Sequence, residues 1–158
     1  QNEVPEKTKG YEGFYMLTSI SGEVDEAKLS YILRDFDLDG LNQRKAKIEE
    51  ITKTLQQKYG EDRIIVDIKD SYYNMKEKIE PVMYIIDLAK KAMKDADIEP
   101  KIVPIRGGTE GARISYMGIP TPNLFTGGYN FHGYYEYAVA EEMEKAKSVI
   151  INIVKNNK

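Results

Sequence analysis

The 158-residue sequence contains no cysteine. That excludes a disulfide framework, a cysteine nucleophile and a thiolate zinc site. No stretch approaches the ~18 uncharged apolar residues that a membrane helix needs, and the mean hydropathy is -0.54, so a membrane-spanning protein is excluded. There is no basic surplus. Twenty-three basic residues face 26 acidic ones, for a net charge of -3, and no basic stripe suggests a nucleic-acid partner. Histidine is almost absent, with His132 alone. A Ser-His-Asp triad survives that count, but a self-contained histidine-rich metal site does not. A metal here would rely on carboxylates or on residues outside the chain. The opening Gln1-Asn2-Glu3-Val4-Pro5 has neither a basic region nor an apolar core, so it is not a signal peptide. With no initiator Met, it reads as a fragment of something longer.

What is present is a globular composition, 41% hydrophobic and 31% charged. It has room for one ordinary domain or two small ones. Residues 1–10 read as an irregular lead-in. Residues 11–20 are aromatic and β-branched, which predicts a strand. Residues 28–36 alternate and predict another. Leu41, Ile48, Ile51, Leu55 and Tyr59 share one side of a helix that Gly60 stops. Residues 63–68 return to a strand pattern. The order strand, strand, helix, strand is the latter part of a ferredoxin-like unit lacking its first strand and helix. The second half predicts a helix over about 81–97, a strand over 101–105, a glycine turn opening a short helix, a strand in 120–125, a glycine- and aromatic-rich loop, and a last helix through Met143, Ala146, Ile150 and Val154. That is half of an α/β layer structure. A boundary near 70–80 separates the halves.

Two segments carry chemistry. In Arg106-Gly107-Gly108-Thr109-Glu110-Gly111 a strand runs through glycines into a helix start. Such a turn suits an anion, here with a guanidinium and a hydroxyl added. The plainer reading is a strand-to-helix turn with Thr109 as N-cap. A phosphate P-loop is excluded because the Gly-Lys-Ser/Thr ending is absent. The second segment runs from Thr126 to Glu136 and holds His132 among glycines and aromatics. A lone histidine is most often a surface or hydrogen-bonded structural residue, but loops at strand ends are where α/β folds bind ligands. Asp35, Asp37 and Asp39 resemble the start of a calcium loop. Gly40 comes too early and no glutamate follows in place, so they read as a solvated turn. The Tyr72-Tyr73 and Tyr134-Tyr135 pairs read as packing residues.

Residues 105–118 (IRGGTEGARISYMG) and 119–132 (IPTPNLFTGGYNFH) resemble the C-terminal region of the peptidase T family of tripeptide aminopeptidases. GYEGFYMLTSISGEV, KLSYILRDFD and DSYYNM resemble it upstream, in the same order. The resemblance implies an α/β fold: a partial ferredoxin-like (α+β) lid domain over 1–75, then the C-terminal half of an α/β zinc-exopeptidase catalytic domain over 76–158. It implies two zinc ions per complete active site and hydrolysis of the first peptide bond of a tripeptide by metal-activated water. His132 would be a metal ligand. Arg106, Gly107, Gly108 and Thr109 would bind substrate, with Asn130 and Glu136 in support. A cytoplasmic location and a possible homodimer are also implied. The chain departs from the family pattern at Glu110, usually Asp, and at Tyr134-Tyr135, usually Lys-His.

No segment resembles the family's other metal ligands, its bridging Asp or its general-base Glu. One histidine supplies one of the roughly four ligands of a tight zinc site. The expectation is therefore a fragment that is inactive alone, needs the missing N-terminal part of the same polypeptide, and exposes strand edges that favour self-association. Two alternatives stand beside it. One is a stand-alone ferredoxin-like module binding a small carboxylate. The other is an inactive homologue kept as a structural partner. An open reading frame extending far upstream would favour the enzyme.

Overall fold

The computed structural model describes residues 2–157. The chain divides into two units. Residues up to Asn74, with Pro104–Gly107, form the first. Met75–Val103 and the residues from Gly108 onward form the second.

In the first unit, β1 (Phe14–Gly22) and β2 (Ala27–Arg34) make an antiparallel hairpin, in register from Phe14↔Arg34 to Gly22↔Ala27. The register slips between Leu17 and Ser19. There the Thr18 hydroxyl donates to the Ser30 carbonyl at 3.1 Å, so a side chain bonds across the irregular point. Helix α1 (Leu38–Tyr59) starts at Asp37, whose carboxylate accepts the Gly40 N–H at 3.2 Å, and stops at Gly60 with φ 108°. A short acceptor side chain and a glycine with positive φ are the usual helix limits. Phe14, Tyr15 and Thr52 are buried. Arg44 of α1 reaches Asp35 at 3.0 Å and Glu3 at 2.7 Å and lies over the Tyr15 ring. Much apolar surface stays open, with Ile20, Leu29 and Tyr59 more than half exposed. The hairpin pairs with no third strand among the described residues.

In the second unit, single turns at Lys76–Ile79 (α2) and Glu80–Val82 precede α3 (Tyr84–Lys94). This helix packs on α5 (Ala140–Asn156), with Ala92 and Val149 fully buried and the Asn152 amide donating to the Ala92 carbonyl. Helix α4 (Glu110–Tyr116) is held by buried Ser115, whose hydroxyl donates to Gly111 O at 2.7 Å and accepts the Thr121 N–H at 2.9 Å. A small antiparallel pair, β3 (Gly128–Tyr129) and β4 (Tyr137–Ala138), precedes α5.

The C-terminal ends of α3 and α5 are tied by a triangle. Lys91 Nζ lies 2.8 Å from the Asp95 carboxylate and 3.0 Å from Asn156 Oδ1, and the Asn156 amide donates to Asp95 at 2.8 Å. The hydrogen bond from Lys91, then that from Asn156, holds the Asp95 carboxyl below its ordinary value. A carboxyl with a depressed native pKa stabilises above the ordinary aspartate range, and that contribution is lost as pH falls through the depressed value. An NMR titration of Asp95 is expected to show a midpoint below the ordinary aspartate value, moving up toward it in Lys91→Met.

The fold is mixed α and β, with two two-stranded antiparallel sheets among the described residues. Three expected strands, over 63–68, 101–105 and 120–125, are not strands. They run without a ladder partner among the described residues, leaving Ile65 and Ile102 largely exposed. A strand exists through pairing, and apolar alternation supplies only the tendency. The sheet of the α/β layer structure expected of the second half is accordingly reduced, among the described residues, to the β3–β4 pair. Helix α3 begins at Tyr84 rather than near 81, because Pro81 sits in the separate 3-10 turn. Among the described residues no helix is long and apolar enough to cross a membrane.

Candidate functional site

The β3–β4 hairpin presents His132 at the tip of the loop 130–136. Gly127, at φ 80°, makes the entry possible. A Cβ there would stand 2.9 Å from Glu142 Cβ and 3.0 Å from Met143 N, at the start of α5. Asn130 and His132 both adopt left-handed backbone, at φ 55° and 65°. Asparagine tolerates that region better than most residues, and histidine is also enriched there. The loop closes on itself. Gly133 N–H donates to Asn130 O at 2.9 Å, and the Asn130 side-chain amide donates to Tyr135 O at 3.1 Å. The Glu136 carboxylate accepts the His132 backbone N–H at 2.9 Å. Asn130, His132 and Glu136, chosen from sequence, thus share one loop, with the imidazole on an exposed residue.

At the base of the loop the Tyr129 and Tyr137 rings stack, with centroids 5.2 Å apart. The Tyr129 hydroxyl donates to both oxygens of Glu142 at 2.8 Å. That hydrogen bond raises the Tyr129 phenol above its ordinary value, and desolvation adds to it. Sequence reasoning missed Glu142, which lies 13 residues from Tyr129 on the first turn of α5. Tyr134 and Tyr135, read as packing residues, are almost fully exposed.

The Arg106–Thr109 turn is shared between the units. Arg106 and Gly107 belong to the first, Gly108 and Thr109 to the second. Within the first unit the Arg106 guanidinium is occupied by the lead-in segment. Nη1 donates to Thr8 O at 2.5 Å and Nη2 to Thr8 Oγ1 at 2.5 Å, with Pro5 O and Glu12 O at 3.4 Å. The group lies over the buried Phe14 ring, 4.9 Å from its centroid. Its Nε is buried and makes no hydrogen bond among the described residues. Thr8 was missed because nothing in local pattern links residues 98 apart. Within the second unit Thr109 is the N-cap of α4. Its hydroxyl accepts from the Asn123 amide at 3.2 Å and makes no cap hydrogen bond. A Cβ at Gly107 would meet nothing within 4 Å.

Among the described residues no group of three or more His, Asp or Glu side chains is placed to hold a metal. Two open recesses, of ≈ 250 Å³ beside Arg44 and ≈ 380 Å³ beside Asp97, contain none of the candidate residues.

No protein-family model matches the chain. Curated relatives do. It is 60% identical over 154 residues to peptidase T of Geobacillus sp. (strain WCH70). It is 60% identical over 155 residues to peptidase T of Bacillus licheniformis, and 56% identical over 154 residues to that of Bacillus subtilis (strain 168). Each match covers 98% of this chain but 38% of the relative's length. The chain is thus homologous to peptidase T along nearly its whole length, and it spans little more than a third of the proteins it matches.

Proposed function

We propose that the chain is the C-terminal portion of a zinc-dependent tripeptide aminopeptidase, a hydrolase that releases the N-terminal residue of tripeptides. The observation that carries this reading is identity near 60% over 98% of the chain to proteins named peptidase T, of which it spans 38%. In this proposal residues 1–75 belong to a ferredoxin-like lid, to which the β1–β2–α1 order lends support. Residues 76–158 belong to the catalytic domain. The parent is cytoplasmic and pairs as a homodimer through its open strand edges.

This chain's own contribution is modest and specific. His132, offered at the tip of a self-bonded loop, is one zinc ligand. Asn130 and Glu136 fix the backbone that presents it. Arg106 and the Gly107–Thr109 turn receive the substrate's backbone or terminal carboxylate. The remaining ligands and the proton-accepting carboxylate belong to the rest of the polypeptide. One ligand of roughly four holds zinc weakly, so the chain alone is inactive.

The test is tripeptide hydrolysis by the 158-residue chain with added zinc or cobalt, following release of the first amino acid. The expected result is no turnover alone and turnover once the N-terminal portion of the polypeptide is supplied. Metal-dependent turnover by the chain alone, abolished in His132→Ala, would show that a metal site assembles from side chains given other roles above. Absence of rescue by the N-terminal portion would count against the fragment reading itself.

A further inference from the structure

We propose that Thr8 is a built-in stand-in for a carboxylate at Arg106, so that the turn around Thr8 is a strap a ligand must displace. This rests on reading Arg106 as the receiver of a substrate carboxylate, and it adds regulation of that site. The contact has the form of a carboxylate complex. Two oxygens of one residue, Thr8 O and Oγ1, meet the two terminal nitrogens of the guanidinium at 2.5 Å each. A carboxylate meets an arginine fork in the same parallel, two-point fashion. Thr8 Oγ1 is committed to the accepting role, because it donates its single proton to Val4 O at 2.9 Å.

What the strap lacks is charge. Among the described residues no carboxylate makes an ion pair with Arg106, whereas Arg44 in the same unit has two, Asp35 and Glu3. The Glu12 carboxylate accepts the Lys9 N–H, and Glu12 offers Arg106 only its carbonyl. The buried Nε stays unpartnered among the described residues. A hydrogen bond in which both partners are ionised is stronger than one to a neutral oxygen. A carboxylate therefore has an energetic advantage over Thr8, which holds its place through the high effective concentration of a tethered group. The outcome is a competition. A strap seated about nine-tenths of the time weakens the apparent affinity of an incoming carboxylate about tenfold.

The experiment is a titration of the whole 158-residue chain with triglycine, followed by the Arg106 Nε–H and the Thr8 amide in ¹⁵N–¹H NMR spectra. Triglycinamide, which lacks the carboxylate, serves as the control. The Arg106 and Thr8 signals are expected to move with a common midpoint on adding triglycine and to stay put with the amide. Thr8→Val should bind triglycine about tenfold more tightly, while Thr8→Ser, which keeps both oxygens, should match the wild type. If Arg106 responds while Thr8 does not, the strap is overturned and the carboxylate reading stands. The same holds if Thr8→Val folds and binds with wild-type affinity. If Arg106 responds in neither protein, the carboxylate reading falls and the strap with it. Should Thr8→Val not fold, the wild-type titration of the two signals decides alone.

Discussion

His132→Asn in the full-length protein, taken as the zinc tripeptidase proposed above with His132 as a ligand, is expected to lower kcat/KM by more than about a hundredfold, since residues that merely support a metal ligand already cost 10–100-fold when replaced. The choice of asparagine follows from the backbone. His132 sits at φ 65°, and the left-handed region strains alanine more than asparagine. The bond from its N–H to Glu136 is made by the main chain and survives the substitution. In the 158-residue chain the side chain lies on an exposed loop, so the stability of that chain should change by less than about 0.5 kcal/mol. Tripeptide kinetics and zinc content, measured beside a melting curve, separate the two effects. Near-normal activity with full zinc content would remove His132 from the ligand set. Equal loss of activity and folding would make it a structural residue.

Gly13→Ala should destabilise the first unit by about 3 kcal/mol, a figure that joins overpacking to the partial separation of a half-buried ion pair. A Cβ at Gly13 would stand 2.5 Å from Arg44 Nε and 2.7 Å from Arg34 O, and closer still to the Asp35 carboxylate. The Arg34 carbonyl is main chain and Asp35 is pinned by Arg44, so neither is free to retreat. The side chains of Arg44 and Asp35 are 14% and 12% exposed. Water therefore screens the pair in part, and the full cost of breaking a buried pair does not apply. Urea denaturation followed by hairpin amide signals gives the measurement, with Gly107→Ala as its partner. That second glycine has open space around it, and its substitution should shift stability by no more than about 0.5 kcal/mol. Equal effects at the two positions would mean that the hairpin yields to admit the methyl group.

The parts of the fold that were legible in sequence are those fixed by local chemistry. Gly60 marks the end of α1, because a glycine stop is decided by neighbours in the chain, whereas its start at Leu38, capped by Asp37, lies three residues before Leu41, the first residue of the expected apolar side. The β1–β2 hairpin was legible because its two strands are joined by a short turn and supply one another's partner. The segment 63–68 alternates as well, and 101–105 and 120–125 also read as short strands, but all three pair with nothing among the described residues. Alternation reports which face a segment would bury, and only a neighbouring backbone turns it into a strand. The site divides along the same line. The loop of Asn130, His132 and Glu136 is closed by residues within six positions of one another, so its composition pointed to it. The grip of Thr8 on Arg106 spans nearly a hundred residues, and no periodicity reaches that far.

The tyrosine pair at the base of the His132 loop has an optical consequence. The sequence holds no tryptophan and 12 tyrosines, so its ultraviolet emission is tyrosine emission. Tyr129 and Tyr137 form a stacked, asymmetric chromophore, and the phenol of Tyr129 leans on a carboxylate able to take its proton in the excited state. Any event that shifts the loop against α5 changes the distance between those rings or the grip of Glu142. The loop that offers His132 thus carries its own fluorophore, and a change in its state adds a signal to the near-ultraviolet spectrum over that of the other ten tyrosines.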